Sequence, residues 1–193
     1  MNHSPFGSLG EMLAARSVRR FERDDTMGEA AVAVVLRWRD EAELLLIERA
    51  QRSNDPWSGH IALPGGRRQV EDVDLRATAE RETLEEVALD LSAGERWLGA
   101  LDEVRPNTRR LPPLVIAPYV ALAPAEATLR PDPREVASIH WVALAELRRG
   151  SAQSEVRIPF GDSDLYFPSF RFQGHEIWGL THRILVQLLG LMD

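Results

Sequence analysis

The stretch that decides the fold is Pro64-Gly65-Gly66, followed fifteen residues after Gly66 by Arg81-Glu82-Thr83-Leu84-Glu85-Glu86. At about 100° per residue in a helix, Glu85 falls roughly 60° to one side of Glu82 and Glu86 roughly 40° to the other. Three carboxylates thus project from one narrow face. Leu84, Ala77, Ala88 and Leu91 fall on the opposite face, which predicts a helix with a core side and an acidic side. Like charges one turn apart repel by ~4 kcal/mol per close pair at an intermediate dielectric. They also crowd the C-terminal half of the helix, where its dipole disfavours anions. A divalent cation relieves both problems, and three hard oxygen ligands suit Mg²⁺ or Mn²⁺, ions that also bind substrate phosphates. The other reading is a solvated acidic face. The glycine pair ahead of the helix and the arginines around it argue for the site. A glycine pair between strand and helix lets backbone approach a ligand and offers N–H groups to anions, so Gly65 and Gly66 are candidate substrate-binding residues.

These residues resemble the Nudix box, Gly-x5-Glu-x7-Arg-Glu-U-x-Glu-Glu-x-Gly-U, where U is aliphatic. Gly66 with Asp72 opens the box, and Arg81-Glu82-x-x-Glu85-Glu86-x-Ala88-Leu89 closes it. Asp72 stands for Glu, the spacer to Arg81 has eight residues, Thr83 replaces an aliphatic residue and Ala88 replaces Gly. Ala in place of the helix-ending Gly predicts a helix that runs on toward Asp90. The longer spacer and the Asp are similar to those of coenzyme A pyrophosphatases within the family. Leu45-Leu46-Ile47-Glu48-Arg49-Ala50 and Gly59-His60-Ile61-Ala62-Leu63-Pro64-Gly65-Gly66 match the two ends of that subfamily's upstream motif. Between them the chain is one residue long, so the motif's second Arg falls on Asn54 or Asp55, with Arg52 the nearest cation. Ile177-Trp178-Gly179-Leu180-Thr181 resembles the subfamily's closing helix. The resemblance covers roughly residues 28 to 190.

The resemblance implies an α/β/α sandwich around a mixed β-sheet and a metal-dependent pyrophosphohydrolase. Glu82, Glu85 and Glu86 would hold Mg²⁺ or Mn²⁺, Arg81 would position a box glutamate, and Glu85 or Glu135 would orient or deprotonate the attacking water. Glu135 lies in the loop Asp132-Pro133-Arg134-Glu135-Val136, where a loop anchor is the alternative reading. Arg49 would begin a substrate clamp and is the expected partner of the 3′-phosphate that sets coenzyme A apart. Arg52 would substitute for the displaced Arg. Trp57 would either stack on an adenine ring or plug the core. His60 and Trp178 are expected to be structural. A coenzyme A substrate would give 3′,5′-ADP and 4′-phosphopantetheine. ADP-ribose, NADH or another nucleotide is the alternative within the family, and a non-catalytic nucleotide-binding module is the alternative outside catalysis.

Composition bounds the rest. The 193 residues suit one domain, with residues 1–27 as an N-terminal helix and extension and 28–193 as the catalytic domain. Hydrophobic content of 44% and charged content of 27% are ordinary for a globular chain. A net charge of −7 argues against nucleic-acid or anionic-membrane partners, leaving a small nucleotide substrate. The absence of cysteine excludes disulfides and thiolate chemistry. Residues 1–10 lack the features of a signal peptide and no apolar run reaches the ~18 residues of a membrane span, so a cytoplasmic enzyme is expected. Monomer and homodimer are both open.

Along the chain, a Ser-capped helix is expected within residues 8–20, a hairpin at 29–38 and 43–48, and a loop over 51–59. A brief strand at 61–63 then feeds the glycine pair as a loop. The glutamate helix is expected over 74–89, capped by Asp72 or Asp74. Strands at 97–104 and 114–122 flank a mobile loop at 105–113. A strand at 138–142, a helix at 143–148, a strand at 164–172 and a closing helix at 178–191 complete the reading.

Overall fold

The computed structural model describes residues 6–24, 26–53, 57–92, 96–106, 113–160 and 163–192. Its main sheet is built on β1 (Gly28–Trp38), whose residues are buried on both faces by alternation. Ala31, Ala33 and Val35 point into one core cluster, while Val34 and Leu36 point into the other. β1 runs parallel to β6 (Leu114–Leu122) over the whole of β6. It runs antiparallel to β2 (Ala42–Arg49) at its end and to β4 (Gly65–Arg67) at its start. β2 in turn pairs with β3 (Ile61–Ala62) and β7 (Val136–Ala143), and β5 (Trp97–Ala100) closes the far edge on β6. The seven strands form one mixed sheet, as expected.

The two clusters mark two layers. On one face lies α2 (Leu75–Val87), packed on β1 through Ala79 and Val87. On the other lie α1 (Gly7–Ala15) and α3 (Leu144–Arg148). With them sit a small antiparallel sheet of β8 (Gln153–Phe160), β9 (Ser163–Phe172) and β10 (His175–Trp178), and the closing helix α4 (Gly179–Leu191). No helix among the described residues is long and apolar enough to cross a membrane.

Several boundaries differ from the sequence reading. α1 stops at Ala15, and Ser8 lies inside it while Phe6 takes the cap position without a side-chain bond. Gly65 and Gly66 are strand rather than loop, because β1 offers their backbone a partner. β5 ends at Ala100, with Val104 touching β6 only through a bridge to Ile116. β8 and β10 are additions. Residues 107–112 of the expected mobile loop, and the Asn54–Asp55 motif position, lie outside the described residues.

α2 also ends differently. Ala88 adopts the left-handed conformation, at φ 56° and ψ 31°, and its N–H donates to the Leu84 carbonyl. That conformation costs an L-residue about 1 kcal/mol. Contacts on either side of Ala88 offset the cost: Leu89 and Leu91 turn into the core, and the carbonyls of Glu86 and Val87 accept from the N–H groups of Asp132 and Arg130. The helix end is thus satisfied by the loop that carries Glu135.

Candidate active site

The site is assembled on α2 and β4. Asp74 caps the helix, accepting from the Ala77 N–H at 2.8 Å. Asp72, just outside it and covered, accepts from the Gln69 N–H, the Thr78 hydroxyl and Arg81. The Arg81 guanidinium holds its carboxyl well below the usual range, more than covering the cost of burial. Arg81 places all five of its N–H donors: two on Asp72 at 3.0 Å, one each on Glu82 at 2.9 Å and Glu85 at 3.0 Å, and one on the Arg67 carbonyl at 3.0 Å. It joins the first acidic residue of the box, two of its glutamates and β4.

The expected division of α2 into a core side and an acidic side is overturned. Leu84 is 51% exposed, whereas Glu86 is 2% exposed. The buried stripe consists of Thr78, Ala79, Thr83, Glu86 and Val87, so a carboxylate is packed where an apolar residue is the ordinary choice. Glu86 accepts from the Gly65 N–H at 2.9 Å. Burial pushes its pKa up to about 8, with the charges of Glu82 and Glu135 adding to the rise and the Gly65 N–H and Arg49 opposing it. Burial likewise raises Glu82, against Arg81, and there too Glu85 and Glu135 add to the rise.

The glycine pair makes this contact possible. A Cβ on Gly66 would stand 2.5 Å from the Glu82 carboxylate, and one on Gly65 (φ 150°) would stand 2.3 Å from the Ala31 carbonyl. The Gly65 N–H is spent on Glu86. The pair therefore serves close approach of carboxylates to strand.

The donor set fits a divalent cation by its chemistry. Glu82 and Glu86 are hard-oxygen ligands whose shared negative charge is only partly offset, and each keeps one carboxylate oxygen outside the hydrogen bonds of the described residues. Among those residues no three acidic or imidazole groups already converge as a ligand set. Glu85 is drawn outward to Arg81, with its side chain 55% exposed. Glu135 lends charge to both buried carboxylates while its own carboxylate pairs with Arg52 at 3.2 Å.

Beside β4 opens a cleft of about 600 Å³. Arg49, Trp57, Gly65 and Gly66, the candidate substrate-binding residues, line it. Trp57 is 44% exposed, which rules out the core-plug reading. Arg52 does not line it: its guanidinium binds the Arg134 carbonyl at 2.6 and 2.8 Å and braces the Glu135 loop. His60 and Trp178, expected to be structural, both line the cleft with their rings 5.2 Å apart. Phe167, 5.7 Å from Trp178, and Arg67 and Arg183 are cleft residues that sequence reading misses. Only the alternation of β4, which puts Gly66 toward Glu82 and Arg67 away from it, could have singled out Arg67.

The NUDIX domain family model matches residues 27–159. The chain is 30% identical over 183 residues to the mouse (Mus musculus) mitochondrial coenzyme A diphosphatase NUDT8, an alignment covering 93% of this chain and 84% of that one. It is 31% identical over 159 residues to the uncharacterized Nudix hydrolase NudL of Yersinia enterocolitica, covering 82% and 78%. An uncharacterized protein of Schizosaccharomyces pombe is 42% identical over 118 residues, which are 60% of this chain and 36% of that one, so the chain spans only about a third of that relative. Among solved structures, a MutT/nudix family protein from Enterococcus faecalis superposes with a TM-score of 0.63 at 17% identity, covering 97% of this chain and 69% of that one, a likeness of fold.

Proposed function

Since the chain belongs to the Nudix family of pyrophosphohydrolases, we propose that it hydrolyses the diphosphate of coenzyme A, or of a derivative, to 3′,5′-ADP and 4′-phosphopantetheine with Mg²⁺ or Mn²⁺. The observation that carries the reading is the pair of carboxylates, half-buried Glu82 and buried Glu86, set against β4 where that strand borders an amphipathic cleft. Support for coenzyme A comes from the relatives named coenzyme A diphosphatase and from the apolar wall of the cleft, which suits a pantetheine arm better than a second hydroxylated ribose.

In this reading Glu82, Glu85 and Glu86 would hold the metal, with Glu85 leaving Arg81 for it. Such an ion would supply neutralisation of the negative charge on the diphosphate and its leaving group. Arg81 fixes the carboxylates through Asp72 and Arg67, a positioning role. Arg49 lines the same cleft as Gly65 and its charge acts on Glu86, which supports a role at the diphosphate. The attacking water forms the new P–O bond while the bridging P–O bond breaks. Its proton would go to Glu135 rather than Glu85, because the Glu135 charge acts on both Glu82 and Glu86 and its pairing with Arg52 at 3.2 Å is looser than the 3.0 Å bond of Glu85 to Arg81. The test is chromatographic detection of products from coenzyme A, dephospho-coenzyme A, ADP-ribose and NADH with each metal. Formation of 3′,5′-ADP and 4′-phosphopantetheine is expected. Turnover of ADP-ribose or NADH with none of coenzyme A would overturn the substrate, and turnover of nothing would leave a binding module.

A further inference from the structure

The chain contains no lysine, so any phosphate it grips by charge is gripped by guanidinium. Three arginines line the cleft: Arg49, Arg67 and Arg183. Arg49 is close enough to the buried Glu86 for its charge to act on it, and the other two belong elsewhere. Strand alternation turns Arg67 away from α2, and its Nη1 lies 3.3 Å from where a Cβ on Gly28 would be, a point equally close to Leu114. Arg183, on the first turns of α4, donates through Nη1 to the Arg105 carbonyl at 2.8 Å, next to Pro106. Leu114 and Pro106 both line the cleft, so both guanidiniums reach the end that these two residues frame. Neither has a carboxylate partner among the described residues, and the Nε and Nη2 of Arg183 form no hydrogen bond there. In a protein of net charge −7, two arginines left without anions in one cleft mark a place where an anion is brought from outside.

We propose that Arg67 and Arg183 form a second phosphate subsite, which takes a monophosphate ester carried by the nucleotide whose diphosphate lies at Arg49 and the glycine pair. Resting on the coenzyme A reading, this assigns the subsite to the ribose 3′-phosphate, one sugar away from the diphosphate. It replaces Arg49 as the residue that reads that group. Forked guanidiniums suit a phosphate dianion, and loss of one such contact weakens binding roughly tenfold or more.

Binding separates this inference from turnover. Calorimetric titration with 3′,5′-ADP and with 5′-AMP, in Mg²⁺, should show the wild type preferring the bisphosphate by roughly tenfold or more. Arg183→Gln and Arg67→Gln should each shrink that preference toward unity while leaving 5′-AMP affinity within about threefold, and Arg183→Lys should recover part of it. Equal affinity of the wild type for the two nucleotides would overturn the subsite. So would variants that lose both nucleotides equally, which would mean that Arg183 only holds the Arg105 loop. Circular dichroism confirms that each variant is folded. A wild type that prefers the bisphosphate but does not cleave coenzyme A would sink the substrate reading and keep the subsite.

Discussion

Arg81 grips Asp72 through two parallel hydrogen bonds, Nε to Oδ1 and Nη2 to Oδ2, both 3.0 Å. The pair spans the eight-residue spacer, one residue longer than the box pattern, and ties its opening acidic residue to the glutamate helix. Arg81→Ala leaves a covered carboxylate without its cation. The cover over Asp72 is thin, which limits the loss to about 2 kcal/mol. Urea unfolding should show that loss, and steady-state kinetics a roughly ten- to hundredfold drop in kcat, from misplaced carboxylates. Arg81→Lys cannot fork, and should restore stability more than activity. Full activity in Arg81→Ala would remove it from the site.

The two glycines should separate folding from metal binding. At Gly65 a methyl group meets the Ala31 carbonyl at 2.3 Å on a backbone with φ 150°, so Gly65→Ala should cost about 3 kcal/mol or more. At Gly66 the clash is with the mobile end of Glu82 at 2.5 Å. Gly66→Ala should therefore stay within about 1 kcal/mol of wild type and lose metal-induced stabilisation. Thermal scans with and without Mn²⁺ distinguish the two. A Gly66→Ala protein that still gains stability from the metal would contradict the placement of Glu82.

Glu86 makes the metal-free protein pH-sensitive. Its folded pKa of about 8 lies above the ~4.3 of an unfolded glutamate, so the folded state holds the extra proton between these values. The stability it contributes is complete below the lower value and is lost as pH rises through about 8. Asp72, held low by Arg81, acts in reverse: its contribution is present above ~4 and lost in acid. Glu86→Gln should match wild-type stability near pH 5 and exceed it near pH 9 in chelator, with hydrolysis abolished at both. Metal stabilisation of the wild type should grow with pH across the same window, because the ion displaces the proton. A flat pH profile for wild type in chelator would place Glu86 in a better-solvated setting.

Arg49→Ala should lower turnover of coenzyme A and dephospho-coenzyme A by the same factor, roughly tenfold or more, since it serves the diphosphate common to both. A loss confined to coenzyme A would return the 3′-phosphate to Arg49 and take it from Arg67 and Arg183.

The strands of the central sheet are legible because they are apolar runs or alternations: β1, β2 and β6 fall within two residues of their expected bounds. The spacing of the three glutamates likewise places them on one helix. Which way that helix faces is not legible. Pattern reading assigns Leu84 to the core and Glu86 to water, and the molecule does the reverse because close contact with β4 outweighs the desolvation of one carboxylate. Ala88 misleads for a related reason. Its helix end is set by Leu89, Leu91 and the loop bonds of Arg130 and Asp132, which no local propensity encodes. β8 carries a real alternation, Val156 and Ile158 between polar neighbours, that the sequence reading misses, whereas four-residue β10 gives too little to read. The cleft arginines need a tertiary map, since Arg67 and Arg183 are brought to one end by β4 and α4.

The family match stops at residue 159, and Phe167, Trp178, Leu180 and Arg183 all lie beyond it. The carboxylates and one wall of the cleft therefore lie in one stretch of the chain, with Arg49, Trp57 and Arg67, and the opposite wall lies in another. Mutation after residue 159 can recut the shape and charge of the cleft while the carboxylates, the glycine pair and Arg81 stay untouched. Such a division lets substrate range drift among descendants without passing through an inactive ancestor. It also gives an engineer a handle: graft the small sheet and closing helix of one relative onto the box of another, and the part of selectivity set by Phe167, Trp178 and Arg183 should travel with the graft.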